Sequence, residues 1–153
     1  FVCKARALVE FLGKYLLIER QLQGKSMLVL PGGKVESFDE TQSELIKELD
    51  NGHKERNYND VLLNALRREL YEELKIVLPN TIDYCCSSFF VNAKEEPVID
   101  VIFYAKLTDR PDIVVDGVEV KSFVWMDLKS IMEVGNVHDW LKNALKIFDK
   151  IDD

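Results

Sequence analysis

Arg68-Glu69-Leu70-Tyr71-Glu72-Glu73-Leu74 is the stretch whose reading decides the fold. The spacing predicts a helix over 59–75, in which Leu63, Leu66, Leu70 and Leu74 recur at helical intervals as one apolar seam. At ~100° per residue, Glu69, Glu72 and Glu73 fall inside an arc of roughly 100°, so three like charges share one edge beside that seam. Charges this close repel one another, and a hard divalent cation among them relieves the repulsion. Arg68 is placed to hydrogen-bond the carboxylates and fix their rotamers. An acidic helix face is also commonly a plain solvated surface, so the metal reading depends on what else the chain brings to it.

A second segment does so. An apolar run over 27–30 reads as a strand, and Pro31-Gly32-Gly33 after it forces a turn with no side chains to block close approach. Backbone oxygens become available there, so a Gly32 carbonyl can join the carboxylates at the same cation, and Lys34 can meet a phosphate. A diglycine turn alone is more often an ordinary loop.

With both segments in view, the chain resembles the Nudix hydrolase family, whose box is G-x5-E-x7-R-E-U-x-E-E-x-G-U with U aliphatic. The C-terminal half reads Arg68-Glu69-Leu70-Tyr71-Glu72-Glu73-Leu74-Lys75-Ile76, and the N-terminal half reads Gly32-Gly33-Lys34-Val35-Glu36. The box is interrupted. If its first glutamate falls on Asp60, 26 residues separate that position from Gly33 where the family has five, an insertion of about 21. The box glycine is replaced by Lys75, which in a left-handed helix cap costs about 1 kcal/mol or slightly more. That change touches a cap and no ligand.

The resemblance implies an α/β/α sandwich with a mixed sheet, acting on a nucleoside diphosphate linked to another group. Water attacks one phosphorus of the pyrophosphate bridge, with Mg²⁺ or Mn²⁺ neutralising the phosphate oxygens. Carried over residue by residue, Glu73 and Glu72 are direct metal ligands, Glu69 a ligand or proton acceptor, Gly32 a carbonyl ligand and Arg68 their orienting partner. Glu119, six residues before Trp125 and just after Asp116-Gly117, matches a loop glutamate that completes the metal site or serves as base in several members. Glu95 and Glu96, in a hairpin tip, are weaker candidates. No downstream marker of a substrate subfamily is evident, which leaves a nucleoside triphosphate pyrophosphohydrolase as the default. The alternative is a nucleotide-binding sensor without turnover. Phe89, Phe90 and Tyr104 can stack on a base, although strand aromatics are more often core.

The rest of the chain fits this architecture. Segments 5–11 and 15–20 read as a hairpin, 84–91 and 98–107 as another, and 119–126 as a further strand. From Val137 onward, Leu141, Leu145, Phe148 and Ile151 occupy one helical face. The insertion, at about 37–59, reads as a short helix capped by Thr41-Gln42-Ser43-Glu44, with Leu45, Ile46 and Leu49 as its apolar face and Asn51-Gly52 as its stop. Residues 53–59 read as a polar link. A tolerated surface loop and a lid or homodimer contact beside the substrate are the two roles open to it.

Composition sets the bounds. With 153 residues, 47% hydrophobic and 31% charged, the chain is expected to form one domain over 1–153 with a sizeable core. A net charge of −7 argues against an extended nucleic-acid partner and is compatible with a small nucleotide, because bound cations invert the local sign. No run of 18 apolar residues and no secretory leader are seen, so a cytoplasmic protein with no membrane partner is expected. Phe1 in place of Met suggests a trimmed chain. Cys3 and the pair Cys85-Cys86 make neither a disulfide framework nor a zinc spacing, and read as reduced strand or core residues.

Overall fold

Strand β1 (Val2–Phe11) organises the sheet because its alternate residues are apolar on both faces. Ala5, Ala7 and Val9 point into one core cluster, while Leu8 belongs to the other. The computed structural model describes residues 2–36, 44–48, 54–58 and 60–152, with side chains described over 2–36 and 60–148.

A two-residue turn, Leu12 and Gly13 at φ 50° and 78°, leads into β2 (Lys14–Leu22). Gln23 and Gly24, at φ 52° and 76°, then lead into β3 (Lys25–Val29). Positive φ at both central residues matches the twist of the flanking strands. β4 (Gly32–Lys34) pairs antiparallel with β1, β9 (Ser122–Met126) pairs with β2, and β7 (Asp83–Val91) and β8 (Pro97–Lys106) form the second hairpin. β8 runs parallel to β1, which makes the seven-stranded sheet mixed, with a main path β3-β2-β1-β8-β7.

Helices cover both faces. α1 (Val61–Leu74) places Leu66, Leu70 and Leu74, all fully buried, against Ala5, Ala7, Leu16 and Ile18. Burying each such leucine stabilises the fold by about 1.5–3 kcal/mol. On the opposite face, α2 (Leu128–Glu133) and α3 (Asp139–Asp152) bring Ile131, Leu141 and Leu145 onto Leu8, Leu17 and Ile102. This is the expected α/β/α sandwich with a mixed sheet. Phe148 packs as expected, whereas Ile151 lies outside the described side chains. No described helix is long and apolar enough to cross a membrane.

The insertion departs from expectation. Where a helix was expected, β5 (Glu44–Glu48) and β6 (Lys54–Tyr58) pair antiparallel, with Leu45 opposite Asn57 and Ile46 opposite Arg56. The capping box is a purely local signal, and three apolar residues are too few to fix a helical period. Pairing with a second segment decides for the strand. Thr41, Gln42, Ser43, Leu49, Asn51, Gly52, His53 and Asn59 lie outside the described residues.

Candidate metal and phosphate site

Helix α1 is bounded by two non-glycine residues in the left-handed conformation, Asp60 and Lys75, both at φ 58°. At the C-terminal end the Lys75 amide donates to the Tyr71 carbonyl at 3.0 Å and the Ile76 amide to the Leu70 carbonyl at 3.2 Å. The Lys75–Tyr71 bond is that of a left-handed helix cap, a position glycine ordinarily fills. Lys75 adopts it as expected, and its ammonium lies 5.0 Å from the centre of the Tyr71 ring. Asp60 makes no side-chain cap bond and is exposed at the far end of the helix, about 20 Å from Glu73 at ~1.5 Å rise per residue. It does not line the cavity described next.

That cavity, about 410 Å³, opens where α1 meets β4 and the loop before β9, and Gly32, Gly33, Glu69, Glu73 and Glu119 all line it. Gly32 has φ 145°, and a Cβ there would stand 2.1 Å from the Ala5 carbonyl oxygen, so its backbone lies tight against β1. A Cβ on Gly33 would stand 2.6 Å from the Glu69 carboxyl carbon. The diglycine is thus the floor on which the Glu69 carboxylate rests.

Glu73 is 4% exposed. Arg20 Nη2, from β2, donates to both of its carboxylate oxygens at 2.7 Å and to the Gly32 carbonyl at 3.2 Å. Three oxygens therefore surround one cationic nitrogen, while Arg20 Nε is buried without a hydrogen-bond partner. Burial pushes the Glu73 carboxyl up to about 7; Arg20 works against this, while Glu69 and a hydrogen bond with Glu119 reinforce it. Burial likewise raises Glu69, opposed by Arg68.

Glu119 sits in the loop before β9, three residues ahead of the strand rather than in it. Asp116 shapes this loop by accepting from the amides of Val118, Glu119 and Val120 at 3.0, 3.1 and 2.9 Å. Fully buried Val120 anchors it to the core. Arg68 donates to Glu69 at 3.0 Å, to Glu72 at 3.2 Å and to the Lys34 carbonyl at 3.2 Å, tying α1 to β4. The structure thus gathers Gly32, Glu69, Glu73, Glu119 and Lys34 around one cavity. It leaves Glu72 outside, with its side chain 59% exposed. Glu95 and Glu96 turn the β7–β8 hairpin and do not line it.

Among the described residues, no three His, Cys, Asp or Glu side chains converge closely enough to hold a metal ion by themselves. The donor set nonetheless fits a hard cation: the buried Glu73 carboxylate, the partly buried Glu69 carboxylate and a carbonyl line one space, and a guanidinium nitrogen stands beside Glu73 there as a surrogate charge.

Sequence reading missed Arg20. Its signal was strand alternation, since Leu16 and Ile18 face α1 and Arg20 follows them on the same face. Reading missed Arg6 as well, which pairs at 2.6 Å with fully buried Asp100 and donates to the Leu30 carbonyl at 3.2 Å. Arg6, Lys4 and Arg20 also line a second cavity of about 780 Å³, which borders the first at these residues. Phe90 and Trp140 line it too, stacked at 5.8 Å, with the Arg6 guanidinium 5.9 Å from the Trp140 ring. Of the other aromatics considered for stacking, Phe89 is exposed and Tyr104 donates to Glu10 at 2.6 Å.

The fold is similar to those of several solved proteins. The MutT protein from Methanosarcina mazei superposes with a TM-score of 0.74 at 20% identity, over 99% of this chain and 94% of that one. A MutT NUDIX hydrolase from Burkholderia pseudomallei gives 0.69 at 20% identity, covering 95% of each chain. An Ap4A hydrolase from C. elegans gives 0.69 at 18% identity, over 99% of this chain and 97% of that one. No curated protein matches the sequence. A family model described as NUDIX domain matches residues 5–148, nearly the whole chain, and with the sandwich fold and the cavity at its interrupted box this places the chain in the Nudix hydrolase family.

Proposed function

We propose that the protein, as one Nudix domain carrying an insertion, hydrolyses the pyrophosphate linkage of a nucleoside diphosphate joined to another group, with a nucleoside triphosphate as the first substrate to test. The observation that carries this is the meeting of Glu73, Glu69, Glu119 and the Gly32 carbonyl at a cavity also lined by Lys4, Arg6, Lys34 and Lys121. Acidic groups for a cation and basic groups for phosphates share one wall in a chain whose net charge is −7.

Glu73, Glu69 and the Gly32 carbonyl would hold a Mg²⁺ or Mn²⁺ ion, and Glu72 would join them by giving up its pairing with Arg68. The ion, when bound, supplies charge neutralisation at the phosphate oxygens and lowers the pKa of water. Arg20, released from Glu73, turns to the phosphoryl oxygens together with Lys34 and Lys121. Arg68 keeps Glu69 oriented. Glu119, held on its Asp116-capped loop, accepts a proton from the attacking water. The second cavity takes the part of the substrate beyond the phosphates, where Phe90 and Trp140 offer aromatic faces to a base.

The test is a phosphate-release panel with Mg²⁺, covering standard and oxidised nucleotides, nucleotide sugars, ADP-ribose and dinucleoside polyphosphates, with products identified by mass. Release from at least one class supports the reading. Binding without release from any class supports the sensor alternative, which one observation favours: Arg20 already neutralises the buried carboxylate.

A further inference from the structure

We propose that Cys85 and Cys86 form a two-thiolate site for a soft divalent cation of the zinc and cadmium class, at the contact between β7 and α3. Neighbouring residues of a strand ordinarily point to opposite faces. Here Tyr84 pairs with Phe103 and Cys86 with Ile102, so Cys85 is the extra residue of a β-bulge. As a result both side chains turn inward. Cys86 is buried in the apolar cluster beneath α3, and Cys85 packs against that cluster.

The two sulfurs stand 3.7 Å apart. Two sulfurs on one tetrahedral centre with ~2.3 Å bonds lie ~3.7–3.8 Å apart, so the pair already has the spacing of a tetrahedral edge. A direct disulfide suits the place less well. It needs Cα atoms at least ~4.4 Å apart, and neighbouring residues across a trans peptide are held at ~3.8 Å.

The chemistry agrees. Thiolates select soft and borderline cations, unlike the hard carboxylate oxygens of the first cavity. The Cys85 thiol donates to Cys86, an arrangement that lowers the Cys86 thiol and, together with burial, raises the Cys85 thiol, so loading takes its second proton from a group that is held protonated. Loading forms two metal–sulfur bonds and releases both thiol protons, and water reaching the partly exposed Cys85 side fills the remaining positions. Phe90 on β7 and Trp140 on α3 stack along the second cavity, so the dithiol lies between the two elements that build that wall.

Cadmium titration of the whole, reduced chain tests this, because sulfur-to-cadmium charge transfer absorbs in the ultraviolet and carboxylate ligands give no such band. One Cd²⁺ per chain is expected. The band should be absent in Cys85→Ser, retained in Cys3→Ser, displaced by Zn²⁺ and indifferent to excess Mg²⁺. In the wild-type protein, Cd²⁺ should slow alkylation of Cys85 by iodoacetamide about tenfold or more, read by peptide mass. This arm does not depend on any variant folding. No band in the wild type, a band that survives in Cys85→Ser, or unchanged alkylation would overturn the proposal.

Discussion

A single nitrogen of Arg20, on β2, lies 2.7 Å from each carboxylate oxygen of Glu73, on α1. Strand and helix are tied together at the wall of the cavity that both residues line. Removing the guanidinium strands a buried carboxylate. Arg20→Met should therefore destabilise the cation-free protein by about 2–3 kcal/mol at pH 8 and by much less at pH 5, where Glu73 is neutral. Added Mn²⁺ should restore most of the loss, as measured by urea unfolding.

The raised Glu73 carboxyl also makes wild-type stability depend on pH. Its folded value of about 7 lies above its ordinary 4.5. Stability from holding that proton is fully present below pH 4.5 and is lost as the pH rises through about 7. The sum is on the order of 3 kcal/mol. Raised Glu69 acts in the same direction. Urea midpoints of cation-free protein across this window should fall with pH, and Glu73→Gln should flatten the trend.

The two glycines should respond differently to alanine. At Gly32 the added carbon meets the Ala5 backbone at 2.1 Å with φ at 145°, so Gly32→Ala should cost about 3 kcal/mol or more. At Gly33 it meets only the end of the Glu69 side chain, at 2.6 Å. Gly33→Ala should change stability by less than about 1 kcal/mol while displacing the carboxylate and lowering turnover. Unfolding curves and kcat for both variants check the contrast.

Lys75 occupies a left-handed position that glycine fills without strain. Lys75→Gly should stabilise the protein by about 0.5–1 kcal/mol, less whatever the Lys75–Tyr71 contact contributes. Urea unfolding reads this directly, and activity should be unchanged.

Much of this was legible from the residues because it is local. The helical period of Leu66, Leu70 and Leu74 located α1, and the same period put Glu69 and Glu73 on one edge. Glu119 was reached through the family resemblance, while strand patterning put it at the start of a strand that in fact begins at Ser122. What escaped reading depends on partners distant in sequence. Arg20 meets Glu73 53 residues away, and Arg6 meets Asp100 94 residues away. In the insertion, cap chemistry favoured a helix, and pairing of Glu44–Glu48 with Lys54–Tyr58 overrode it. The bulge that unites Cys85 and Cys86 is likewise invisible without the register against β8.

The most direct measurement is Mg²⁺-dependent release of phosphate or pyrophosphate by Glu73→Gln, on whichever substrate the wild type turns over, with folding verified by circular dichroism. Loss of about a hundredfold or more in kcat with the fold intact is the expected result. Turnover close to wild type would contradict the assignment of Glu73 as the centre of the site.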